Sequence, residues 1–90
     1  MNKRAEVYYT GRVQGVGFRY TAQSIASKYK VTGYVKNLPD RRVEVVAEGK
    51  ESEINNFLDE LYAQMQNYIE KFSTNWSDAL NEFNAFNIKY

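Results

Sequence analysis

The sequence predicts an α+β sandwich, with two helices packed on one face of an antiparallel sheet. Three observations carry this reading. Apolar and polar residues alternate in several short segments, as in half-buried strands. In two longer segments apolar residues recur at helical spacing instead. The two kinds of segment follow one another as strand, helix, strand, strand, helix, strand. A chain of 90 residues is expected to form one domain, residues 1–90, large enough to bury a core but with little margin.

Ala5 to Thr10 is the first predicted strand, with Val7 and Tyr9 on one face and Glu6 and Tyr8 on the other. The glycine-rich run Gly11-Arg12-Val13-Gln14-Gly15-Val16-Gly17-Phe18-Arg19 follows and reads as a loop. The segment from Tyr20 to Lys30 is helical. Phe18, Ala22, Ile25, Ala26 and Tyr29 would line its apolar face. Thr32 to Leu38 is a second strand and Pro39-Asp40-Arg41 a turn. Val43 to Glu48 is a third strand, ended by Gly49. Ile54, Phe57, Leu58, Leu61, Tyr62 and Met65 mark the second helix, with Glu51 and Glu53 at its start, where they favour the helix dipole. Beyond Asn67 the pattern weakens. Tyr68 to Phe72 reads as a fourth strand, Ser73 to Asn84 as a loop and Phe86 to Tyr90 as a short final strand. The order βαββαβ is that of a ferredoxin-like sandwich, with room for one extra C-terminal strand.

Composition narrows the function. Net charge is +1, so no strong field draws nucleic acid or an anionic membrane. No apolar run approaches the roughly 20 residues that span a bilayer. The basic N-terminus has no apolar segment behind it, so no signal peptide is read and the cytoplasm is the expected location. The sequence contains no Cys and no His. That removes disulfides, thiolate nucleophiles, Ser-His triads and the commonest metal ligands. No metal and no cofactor is expected. Chemistry must run on Arg, Lys, carboxylates, Asn, hydroxyls and the backbone.

The glycine-rich run admits two readings. It is either a tight turn or an anion cradle at a helix N-terminus. It is not a dinucleotide fingerprint, because Tyr20 stands where the third glycine would be. It is not a Walker loop, because Gly17 is followed by Phe18-Arg19 rather than Lys-Ser/Thr. What remains is a set of closely spaced backbone N–H groups. Arg19 adds a planar cation matched to phosphate oxygens. A cation at a helix N-terminus is disfavoured unless an anion offsets it, and this favours the cradle.

The stretches GRVQGVGFRYT, GYVKNLPD and VEVVAEG together resemble the acylphosphatase family. The resemblance is strong from about Glu6 to Gly49, weaker over the second helix and loose from Ala63 to Phe83. It returns at Phe86 to Tyr90. It implies a ferredoxin-like fold and hydrolysis of acyl phosphates without metal or covalent intermediate. It places the substrate-phosphate loop on Val13, Gln14, Gly15, Val16, Gly17, Phe18 and Arg19, and the catalytic pair on Arg19 and Asn37. One position departs from the family pattern: Arg41 follows Asp40, where glycine is common. Either Arg41 is strained in a left-handed turn or the turn has changed type.

The residue inventory suits the same substrate class. Phosphomonoester hydrolysis is among the slowest reactions in water, and its alkoxide needs a metal or a general acid. An acyl phosphate expels a carboxylate whose pKa is about 4 to 5, and this leaves unprotonated. The site then needs only to hold the phosphoryl group and aim a water in line. The amide of Asn37 has donors and an acceptor for orienting that water. Asn37 read alone, two residues before Pro39, is better read as a turn residue, and its pairing with the glycine loop reverses that reading. Lys36 and Leu38 would face away from Asn37.

Three other classes compete with this reading. A phosphate- or carbamoyl-phosphate-binding module of the same fold would keep the loop without turnover. An RNA-recognition domain would display aromatic residues on the open sheet face, where this chain has Glu44, Val46 and Glu48. A metal phosphatase would need clustered carboxylates, and Asp40, Glu44 and Glu48 read as turn and strand-face residues. The expected partner is therefore a small acyl phosphate, with no nucleic acid and no membrane, acting on a monomer.

Overall fold

Strand pairing turns the alternation of the sequence into two unlike sheet faces. A computed structural model describes residues Met1 to Tyr90. Its elements are β1 (Lys3–Gly11), α1 (Phe18–Ala26), β2 (Val31–Asn37), β3 (Val43–Gly49), α2 (Glu51–Met65), a 3-10 turn at Gln66–Tyr68, β4 (Ile69–Asp78) and β5 (Phe86–Lys89). The sheet order is β4-β1-β3-β2-β5. Ala5, Val7 and Tyr9 pair with Ala47, Val45 and Val43. All six are buried, against Phe18, Ala22, Ile25 and Ala26 of α1 and Ile54, Phe57, Leu61 and Met65 of α2. Full burial of Phe18 or Ile25 stabilises the fold by about 1.5–3 kcal/mol each. Glu51 and Glu53 lie in the first turn of α2, as read from the sequence.

Three expectations are corrected. The sheet is mixed, because β5 runs parallel to β2 while the other three pairs are antiparallel. The extra strand is present, but the segment read as a loop from Ser73 is strand as far as Asp78. It pairs with β1 from Tyr8↔Ser73 to Lys3↔Asp78. The first helix ends at Ala26 rather than Lys30. Beyond it the chain tightens, with Lys28 N–H bonded to Ile25 O at 2.9 Å and Tyr29 N–H to Ala26 O at 3.1 Å. Tyr29 still packs on the core and donates its hydroxyl to Glu60 at 2.7 Å.

The face away from the helices is partly covered. Glu48 points to that face, yet only 3% of it is exposed. Its carboxylate accepts from Arg4 Nη1 at 2.9 Å, Leu80 N–H at 2.9 Å and Asn81 N–H at 3.0 Å. This clamp fixes the chain between β4 and β5 against the sheet. Burial pushes the Glu48 pKa up, but the N–H of Leu80, Arg4 and the N–H of Asn81 outweigh it and hold the pKa below its ordinary value. A depressed carboxylate contributes stability above its unfolded pKa and loses it as pH falls through the folded value. Glu48→Gln should therefore cost about 1.5–3 kcal/mol at neutral pH, the scale for a hydrogen bond to a charged group, since Arg4 keeps Glu6 at 2.8 Å. In urea titrations the gap between variant and wild type should begin to shrink below about pH 4 to 5 and close only as pH falls through the lower folded pKa of Glu48. A gap independent of pH would mean that the charge of Glu48 does not hold the clamp.

Candidate active site

The loop after β1 carries backbone donors that the protein leaves unused. From Val13 to Gly17 no backbone N–H donates to an acceptor within the chain. The first N–H groups of α1 lack intrahelical partners by helix geometry. Gly17 is the N-cap, at φ 80° and ψ 17°, and no side chain caps the helix. Gly15 is also left-handed, at φ 78°. These two glycines turn the chain where a side chain would add strain. The first turn of α1 holds no acidic residue, so nothing in the protein offsets the positive end of its dipole.

Core packing aims this loop. Phe18 is 2% exposed and its ring lies 5.0 Å from that of Tyr9, which ties the start of α1 to β1. With Phe18 turned inward, Arg19 is carried to the rim. Its guanidinium lies 5.0 Å from the ring centroid of Tyr90, within cation–π range. Stacking leaves the edge N–H groups of Arg19 free, because no carboxylate pairs with it.

Asn37 arrives from the last position of β2, opposite Val43 of β3. Val31, Gly33 and Val35 of the same strand are buried on the helix side, and Asn37 continues that row. Its Oδ1 is buried and has no hydrogen-bond partner in the protein. A buried acceptor left unpaired costs about 1–3 kcal/mol, so it calls for a donor from outside. Asn37 lines one concavity of about 130 Å³ together with Val13, Gly15, Gly17, Phe18, Arg19 and Tyr20.

Of the loop positions read from the sequence, Gln14 and Val16 do not line that concavity. Val16 packs against the core. Gln14 sends its Nε2 to Leu38 O at 2.9 Å and to Arg42 O at 3.0 Å. Those carbonyls belong to the hairpin that follows Asn37, which is closed by Leu38 N–H to Arg42 O at 2.8 Å and Arg41 N–H to Leu38 O at 3.1 Å. One side chain thus fastens the Asn37 hairpin to the loop. Arg41 sits at φ 77°, so the turn keeps its left-handed position and the arginine is strained by about 1 kcal/mol or more. Tyr20, Tyr90 and the tethering amide of Gln14 are site features that sequence reasoning missed. Tyr20 stood next to Arg19 in the motif, and the other two depend on contacts remote in sequence.

No group of three or more His, Cys, Asp or Glu side chains comes together to hold a metal ion, at this site or elsewhere. No helix is long and apolar enough to cross a membrane. The covered Glu48 and the Tyr8–Glu44 hydrogen bond at 2.9 Å occupy the sheet face that an RNA-recognition domain would use for stacking.

Comparison with known proteins points the same way as the geometry. The acylphosphatase family model matches residues 5–88. An acylphosphatase of Methanococcoides burtonii is 44% identical over 87 residues, covering 94% of this chain and 90% of that one. An acylphosphatase of Lactobacillus gasseri is 36% identical over 90 residues, covering 98% and 99%. The crystal structure of acylphosphatase from Bacillus subtilis superposes with a TM-score of 0.87 at 36% identity, over 98% of this chain and 99% of that one.

The tether makes a specific demand. Gln14→Ala should lower stability by about 1–2 kcal/mol, the scale for two neutral hydrogen bonds at a partly buried site. It should also speed hydrogen exchange at the Leu38 and Arg41 amides more than at Val45. Uniform acceleration across all three would mean that Gln14 contributes to global stability without holding the hairpin.

Proposed function

This chain belongs to the acylphosphatase family and hydrolyses acyl phosphates, and we propose that it does so by in-line attack of a water at phosphorus. The single observation that carries this reading is the unpartnered Oδ1 of Asn37, in the same concavity as Arg19 and the glycine loop. The loop N–H groups and Arg19 receive the phosphoryl oxygens. Their positive charge is preorganised, so it stabilises the equatorial oxygens in the transition state without reorganising.

Asn37 Oδ1 accepts a hydrogen bond from the attacking water and aims its oxygen at phosphorus. The new bond joins water oxygen to phosphorus, and the bond from phosphorus to the acyl oxygen breaks. The electron pair leaves on the carboxylate. A neutral amide is too weak a base to take the water proton, so a phosphoryl oxygen takes it. The products are a carboxylate and inorganic phosphate. No step requires a metal or a cofactor, and we take the working unit to be a cytoplasmic monomer.

The two residues separate experimentally. Arg19→Ala should abolish turnover and weaken inorganic phosphate binding together, because Arg19 holds phosphate in ground and transition states alike. Asn37→Ala should lower kcat by about 10²-fold or more, with phosphate affinity changed far less. Both are to be measured with benzoyl phosphate in excess EDTA, which should leave the wild-type rate unchanged. A normal kcat with a lowered urea midpoint in Asn37→Ala would make Asn37 a structural turn residue. A wild-type protein that binds inorganic phosphate and does not hydrolyse benzoyl phosphate would instead fit a binding module of the same fold.

A further inference from the structure

We propose that the concavity on the outer side of the phosphate loop is a second anion subsite, taking a negatively charged group at the far end of the acyl chain. The inference rests on the reading of the loop as a phosphoryl cradle and adds a substrate preference to it. The concavity measures about 460 Å³, and Arg12 and Arg41 line it. Neither guanidinium forms an ion pair or donates a side-chain hydrogen bond. Arg4, Arg42 and Lys28 are all paired, by contrast. Asp40, next to Arg41 in the chain, is turned to Arg42 at 2.8 Å and neutralises neither arginine of the concavity.

Two further observations connect this concavity to the cradle. Val13 and Gly15 line both. The space over Gly15 is open, since a Cβ built there would meet nothing within 4 Å. The acyl chain of a phosphoryl group held in the cradle would leave over Gly15, the side on which the two arginines line the neighbouring concavity. The left-handed φ of 77° at Arg41 is strain retained beside a functional site, at a position where it places a cation on the wall of the concavity. The ligand class is an acyl phosphate whose acyl half carries a second anion, a carboxylate or a phosphate.

Hexanoyl phosphate and adipoyl monophosphate have acyl chains of equal length and differ by a terminal carboxylate. The wild-type protein should show kcat/KM about fivefold higher for adipoyl monophosphate at low ionic strength, the scale for exposed charge pairs. The ratio should fall toward one in about 1 M salt. Arg12→Gln and Arg41→Gly should each remove most of the preference and leave kcat/KM for hexanoyl phosphate little changed. The urea midpoint of Arg41→Gly should match or exceed that of wild type, which separates lost preference from lost folding. Equal kcat/KM for the two substrates in the wild-type protein, or a preference that survives both substitutions, overturns the subsite alone. Failure to hydrolyse either substrate would overturn the cradle reading and the subsite with it.

Discussion

A run of backbone N–H groups without protein acceptors, opening into the uncapped end of α1, is the constraint around which this molecule is arranged. The N–H groups at a helix N-terminus are ordinarily capped by a side chain or a carboxylate. Here the N-cap is Gly17 and the first turn of α1 is free of acidic residues, which leaves the positive end of the helix open to an anion. Arg19 intensifies the demand instead of relieving it. In a purely structural loop this would be a small cost, because a side-chain cap would add stability that Gly17 forgoes.

The scaffold makes that cost tolerable by fixing the loop from three sides. Phe18 anchors it to the core through Tyr9, and Gln14 fastens it to the hairpin beyond Asn37. On the far edge Tyr90 stacks on Arg19. These contacts are made within the protein alone, so the loop geometry does not wait on a ligand. Preorganisation of this kind is what lets hydrogen-bond donors lower a barrier rather than merely bind. Glu48 does a related task at a distance. By clamping Leu80 and Asn81 it sets the path of the chain into β5, and so toward Tyr90.

The legible parts of the fold were those with local signatures. The alternation in Val43 to Gly49 and the spacing of Ile54, Phe57, Leu61 and Met65 needed no partner to be read. The second half of β4 was hidden because Ser73, Asn75 and Ser77 are exposed polar residues, and what makes them strand is pairing with β1. The direction of β5 depends on how the chain crosses the sheet, and that crossing is held at Leu80 and Asn81 by Glu48. That residue was read as an exposed carboxylate because its partners lie 44 residues before it and about 32 after. At the site, family resemblance singles out the glycines, Arg19 and Asn37, and the fold brings Gly15, Gly17, Arg19 and Asn37 to one concavity. The tether of Gln14 was not legible, because its acceptors are backbone carbonyls and carry no sequence mark.

The central claim is that the loop from Gly15 to Arg19 is a phosphate cradle formed before ligand binds. The most direct measurement is a titration of the isotopically labelled protein with inorganic phosphate, following backbone amides and the side-chain amide of Asn37 by NMR. The account predicts saturable shifts concentrated at the Gly15, Val16, Gly17, Phe18 and Arg19 N–H groups. The Leu38 and Arg42 amides should move little, since the hairpin is already held. Saturable shifts elsewhere in the protein with those five amides unmoved would contradict it.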